Sequence, residues 1–270
     1  MKKCYLFLLA VPALAFTACN RNVYVPNQVN VPLLKEKGEV KASVSLSDWQ
    51  AAYAITDNFA IMTNGQYVSR LISLEDDDEY DDPIVDPNTR GGIFEVGAGY
   101  TKSLGVSKKA VFEVYGGYGF GGFHTYESAY LMKPDSIRGY DDYKLRTKLH
   151  KFFIQPSFGL SHKVVEVAVS TRFSLVKFNN VSSGRLAWDG DQFARMDFQE
   201  LDGKLIPFME PAATVRVGYK HVKWFWQLRA SVPLRNDGPE AGPTLNNYFQ
   251  PFSFNTGISV NFGNWLKEGK

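Results

Sequence analysis

Between Phe152 and Phe178 the chain reads FFIQPSFGLSHKVVEVAVSTRFSLVKF, and its hydrophobic residues recur at every second position. Phe152, Ile154, Pro156, Phe158 and Leu160 fall on one face of an extended strand, and Gln155, Ser157, Gly159 and Ser161 on the other. After His162 and Lys163 the row resumes. Val165, Val167, Val169, Thr171, Phe173 and Leu175 oppose Glu166, Ala168, Ser170, Arg172 and Ser174. This spacing predicts a β-hairpin whose apolar face is about as long as a bilayer is thick.

The same period recurs along the chain. Three strands are expected between 38 and 68, a fourth over 92–104, a fifth over 110–122, and an eighth over 213–219. The ninth occupies 224–234 and the tenth 252–262, with the opening hairpin supplying the sixth and seventh. After the first hairpin, short and long connections alternate. The acidic run 75–86, the stretch between strands five and six, residues 179–205 and residues 236–248 are the long ones. The expected fold is all-β: a closed, antiparallel, up-and-down transmembrane barrel of about ten strands, occupying 38–263 and returning its end to the side of the short turns.

The amino terminus reads MKKCYLFLLAVPALAFTAC. Lys2 and Lys3 precede an apolar run too short to span a bilayer as a helix, the pattern of an export signal over 1–18. Phe16-Thr17-Ala18-Cys19 resembles the lipobox of bacterial lipoproteins, with Phe16 where leucine is usual. That resemblance implies a diacylglyceryl thioether on Cys19, with acyl chains such as palmitate. Residues 19–37 hold two prolines and several asparagines, and they read as a lipidated, extended tether reaching from the first strand to the nearby leaflet. Residues 264–270 form a short tail.

Strand pattern, loop alternation and export signal together resemble the small outer-membrane β-barrel proteins of Gram-negative bacteria over nearly the whole mature length. The resemblance implies an outer-membrane location, surrounding lipid, insertion by the barrel-assembly machinery and a monomeric state. Members of that class usually end on an aromatic residue; Phe262 is the candidate, although Gly263–Lys270 follow it.

The direction of the apolar rows depends on what opposes them. A soluble sandwich would put many Lys and Glu on its wet faces, whereas these rows carry mostly Ser, Gly, Gln and Asn. Glu95, Glu113, Glu166 and Glu210 share the polar rows with Arg172, Arg216 and Arg229. Counted from the short turns, Glu113, Glu166 and Arg216 form one layer, and Arg172, Arg229, Glu95 and Glu210 another. Such opposed charges fill a lumen of this size as a mutually satisfied network, the structural reading; the same groups would line a narrow, porin-like channel in the transport reading. A soluble periplasmic β-barrel lipoprotein is the structural alternative to both.

Composition adds little beyond this. A net charge of +2 does not favour nucleic acid as a partner, and a mean hydropathy of −0.22 does not favour a helical membrane bundle. No phosphate loop, paired-cysteine motif or HExxH is present, so no cofactor, metal site or catalytic residue is assigned and the chain does not read as an enzyme. The nearest thing to one is a rim hydrolase or acyltransferase built on His124 and His150 with Glu127 and Ser128. Extending the outward parity of strand six backwards reaches Lys144, Arg146, Lys148 and His150. The first three form a basic row at the level of lipopolysaccharide phosphates, with a solvated extension or pairing with the 75–86 run as the competing readings. The expected function is that of an outer-membrane β-barrel lipoprotein with a filled polar lumen and a structural or surface-interaction role.

Overall fold

The computed structural model describes residues 21–69, 88–127, 141–188, 191–219, 221–235 and 248–263. The export signal with Cys19, the acidic run 75–86, Ser128 and the tail 264–270 lie outside these residues. Eleven strands form one sheet. They are β1 (Val40–Ser45), β2 (Asp48–Ala54), β3 (Phe59–Val68), β4 (Arg90–Leu104), β5 (Ala110–Tyr126), β6 (Lys144–Ser161), β7 (Val165–Ser183), β8 (Leu205–Tyr219), β9 (Val222–Ala230), β10 (Val232–Pro233) and β11 (Phe252–Asn261). Each pairs antiparallel with its neighbours. β1 pairs with both β2 and β11, β11 with β9, and β9 with β8, so the sheet closes on itself.

The barrel has ten staves, because β10 is the continuation of β9. Ala212 faces Arg229 and Met209 faces Val232, a single unbroken register. The ladder lapses between them, opposite Pro211, whose nitrogen carries no hydrogen to donate. The strand ends that flank residues 69–89, 127–143, 184–204 and 234–251 lie at one end, called here the long-loop end. The turns 55–58, 105–109, 162–164 and 220–221 lie at the other.

Several strands outrun their apolar rows. β5 continues to Tyr126, β6 begins at Lys144 and β7 reaches Ser183, since β6 keeps its ladders with both neighbours beyond the hydrophobic belt. A bulge interrupts the β6–β7 ladder, where the two steps from Arg146 to Lys148 meet three on β7, and Asn180 takes up the extra residue at φ 52°. The insertion lies on β7, so the side-chain parity of β6 is unbroken and Lys144, Arg146, Lys148 and His150 point away from the interior.

The stretch 179–205, expected as a loop, contains helix α1 (Gln192–Gln199). Asp191 caps it, its carboxylate accepting from the Ala194 amide at 3.0 Å, and the helix turns Ala194 and Phe198 inward. Phe198 joins Val23, Tyr24, Ile93, Phe123, Leu145, Leu149, Phe178, Phe208 and Phe249 in an apolar core that fills the long-loop mouth.

The tether is placed differently from expectation. Residues 22–34 do not run outside the barrel; they lie within it, buried along their whole length. The segment enters at the long-loop end, where the Val23 amide donates to the Tyr248 carbonyl at 2.9 Å. It leaves at the short-turn end, where the Lys35 ammonium donates to the Ser161 carbonyl at 3.0 Å. The physical reason is in its side chains. Val23, Val25, Val29, Val31, Leu33 and Leu34 would be exposed on an external tether, and inside they pack against Val111, Ala168, Ala212, Met62, Tyr115 and the mouth core.

Candidate functional site: the occupied interior

Beyond the short bridge of Tyr24 to Phe249 the segment pairs with no strand of the wall, yet its buried amides and carbonyls must be paired. Here the inward side chains of the wall supply the partners. Gln227 mimics a neighbouring strand, its Oε1 accepting from the Val29 amide at 2.9 Å and its Nε2 donating to the Val29 carbonyl at 2.8 Å. Glu113 accepts from the successive amides of Leu33 and Leu34, both at 3.0 Å. Arg216 donates to the Val31 carbonyl at 2.8 Å, Gln155 to that of Asn30 at 2.7 Å, Thr147 to that of Val23 at 2.9 Å, and Gln66 to that of Pro26 at 3.1 Å. Arg229 donates to the Asn27 carbonyl and, at 2.6 Å, to Ser253 Oγ. The polar residues of the inward rows therefore serve as hydrogen-bonding partners of a threaded backbone.

Two charge clusters brace this arrangement. Nearer the long-loop end, Arg172 and Lys151 face Glu95 and Glu210, all four fully buried. Arg172 Nη1 lies 3.1 Å from Glu95 Oε2, and Lys151 Nζ lies 3.3 Å from Glu95 and 3.0 Å from Glu210. The Tyr24 hydroxyl donates to Glu210 at 2.8 Å, and Arg172 reaches Asn27 Oδ1 at 3.1 Å, so the segment is bound into the cluster. The Arg172 guanidinium also stands over the Phe153 ring, 4.7 Å from its centroid, and its Nε and Nη2 both donate to Gln155 Oε1. Phe153 has room because Gly117 lies beneath it; a Cβ there would come within 2.4 Å of the ring.

Nearer the short turns, Glu166 is surrounded by Lys223 at 3.0 Å, Lys41 at 3.3 Å and Arg216 at 3.4 Å. Lys41 also donates to the Leu33 carbonyl at 3.1 Å. Glu113 stands apart from these ion pairs; besides the two amides it accepts from the Thr101 and Tyr115 hydroxyls, both at 3.4 Å. The structure thus brings together Glu95, Arg172 and Glu210 in one cluster and Glu166 with Arg216 in another. It places Glu113 and Arg229 on the segment's backbone. Lys151, Lys41 and Lys223 complete the clusters and were missed in the sequence, although each shares the inward parity of its strand.

Outside the strands, burial and the nearby Lys41 pull the Lys35 ammonium below the usual lysine range, and burial pushes the Tyr248 hydroxyl up. A cavity of about 10 Å3, bordered by Asn30, Lys41, Gln50, Arg216 and Ser259, is about the size of one water.

Of the candidate rim residues, His124, His150 and Glu127 lie among the described residues, each with its own partners. His150 lies opposite Phe120, stacks on the Tyr118 ring with centroids 5.9 Å apart, and shares a hydrogen bond with the Tyr118 hydroxyl. His124 lies opposite Arg146 on one side and Arg90 on the other, while Glu127 pairs with Arg21 at 3.1 Å. Of the basic row on β6, Arg146 and Lys144 share Asp141, at 2.8 and 3.6 Å, and Lys148 faces outward beyond them. Among the described residues no group of three or more His, Cys, Asp and Glu side chains could hold a metal ion.

Fold and interior together define a closed ten-stave antiparallel β-barrel filled by its own amino-terminal segment. Comparison with known families finds no model that matches the chain, and comparison with curated proteins finds no match.

Proposed function

We propose that this barrel resides in the bacterial outer membrane as a lipid-anchored protein, held shut by its own amino-terminal segment and serving a structural or surface-interaction role. The observation that carries the reading is the inversion of its two faces. Inside are ion pairs and amide-bonding side chains. Outside, every stave presents an exposed apolar side chain: Val44, Trp49, Ile61, Val96, Phe112, Phe152, Val169, Val215, Trp226 and Phe254 in strand order. Soluble monomers rarely expose a contiguous apolar patch above about 300–600 Å2, and a belt around an entire barrel goes well beyond that. Lipid is the solvent in which such a belt costs nothing and in which closure of the sheet is obligatory. Trp224 and Tyr219 near the short turns, with Trp49 and Tyr67 near the other end, are exposed where an interfacial aromatic girdle would sit.

The competing soluble lipoprotein would be held at the membrane only through Cys19. Cys19→Ala protein is therefore expected to stay in the membrane fraction after alkaline carbonate washing, to require detergent for extraction, and to migrate faster on gels before heating than after. Its release into the aqueous fraction without detergent would defeat the membrane reading.

A further inference from the structure

The path of the amino-terminal segment gives the chain a direction through the barrel. Its amino end is held at the long-loop mouth, where Arg21 pairs with Glu127 at 3.1 Å, Val23 bonds to Tyr248, and Tyr24 forms a bridge with Phe249. Its carboxyl end is held among the short turns: Lys35 bonds to Ser161, and the Lys37 amide donates to Asp57 at 2.9 Å. From Asn22 to Leu34 the chain runs through the interior from one mouth towards the other and turns at Leu33, whose φ is 51°. At about 3.3 Å per residue its full reach is about 40 Å at most, enough for the roughly 30 Å hydrocarbon core of a bilayer.

We infer that the segment is a built-in conduit that carries the chain's amino-terminal lipid to the long-loop face of the membrane, so that its acyl partner is the outer leaflet. The inference rests on the membrane-barrel reading above. Distance decides between the two leaflets. Cys19 precedes Arg21 by two residues, a reach of at most about 7 Å, whereas the leaflet at the short-turn end lies across the roughly 30 Å core. An anchor at the short-turn face would require the segment to be withdrawn from the barrel. That would strip Glu113 of both its amides, Gln227 of both its Val29 bonds, and Arg216 and Arg229 of the carbonyls of Val31 and Asn27. Each buried polar group left unpaired carries the full penalty of its desolvation.

β1 begins at Val40, directly after the segment leaves the interior, and closes the barrel against β11, the last strand.

The test uses the full-length chain in intact cells and a membrane-impermeant maleimide. Asn20→Cys reports the amino end and Val106→Cys, in the exposed 105–109 turn, reports the opposite face. Wild-type protein gives the background from Cys19, and heat-modifiable mobility confirms that each variant is folded. Asn20→Cys protein should label at least tenfold above the wild type on intact cells, and Val106→Cys protein only after permeabilisation. Labelling of Asn20→Cys protein only after permeabilisation, with Cys19→Ala protein still embedded, would overturn the threaded anchor and leave the membrane barrel standing. If Cys19→Ala protein is instead released in soluble form, the membrane reading fails and the inference falls with it.

Discussion

Arg172→Met protein should unfold far more readily than the wild type, with a loss of about 3–5 kcal/mol, the range seen when one member of a buried ion pair is removed. The side chain is fully buried and makes several bonds at once, to Glu95, Asn27 and both donors to Gln155. Its cluster balances two cations, Arg172 and Lys151, against two carboxylates, Glu95 and Glu210. Removing Arg172 leaves Lys151 alone between two buried anions. Arg172→Lys should recover only part of the loss, since an ammonium cannot reproduce the fork that spans Gln155, Asn27 and Glu95. Arg172→Met combined with Glu95→Leu should lose less than Arg172→Met alone, because no excess negative charge is then stranded. Urea midpoints in detergent, followed by the loss of the fast-migrating folded band, measure all three. Equal midpoints for wild type and Arg172→Met would show that the cluster is not the interior brace described above.

Replacing residues 22–34 with a glycine-serine sequence of equal length should have a larger effect. Six buried aliphatic side chains and Tyr24 would be lost from the interior, each worth roughly 1.5–3 kcal/mol for full burial. The wall would retain Glu113, Arg216, Gln227 and Arg229 facing an unspecific chain. Barrel closure along β1 and β11 does not require the segment's hydrogen bonds, so the fraction that still folds should admit water and conduct ions. In planar bilayers the wild type should show no steady single-channel steps, and the replaced protein should. If both stay silent while the replaced protein keeps its heat-modifiable mobility, the interior is sealed by something other than the segment.

Much of the barrel could be read from period two alone. The outward rows, the inward carboxylates and guanidiniums, and the alternation of short and long connections each follow from side-chain parity, and parity survives wherever no bulge intervenes. At Asn180 a bulge does intervene, but on β7, so the outward placement of Lys144, Arg146 and Lys148 persisted. Three features were missed. The β9–β10 break depends on Pro211 in the partner strand, which no local window contains. Helix α1 is short and takes its stability from docking Phe198 into the mouth core.

The threaded segment is the most instructive case. Its prolines and asparagines suggested a solvated tether, yet Val23, Val25, Val29, Val31 and Leu33 all fall on one parity. That signal was present, weakened by Pro26 and Pro32. An external tether has no reason to carry an apolar row. Nor could the sequence show why the inward rows are rich in Gln, Arg and Glu. A water-filled lumen and a threaded backbone both call for polar side chains, and only the bond partners, such as Val29 on Gln227 and the Leu33 and Leu34 amides on Glu113, distinguish them.

The central claim is that residues 22–34 occupy the interior of the folded barrel, and residue-resolved amide hydrogen exchange of the wild-type protein in detergent micelles tests it without perturbing any contact. The account predicts that the amides of Val29, Leu33 and Leu34, bonded to buried Gln227 and Glu113, exchange as slowly as those in the centres of β6 and β7. Exchange of those three amides at the rate of a free chain, while the strand amides remain protected, would contradict it.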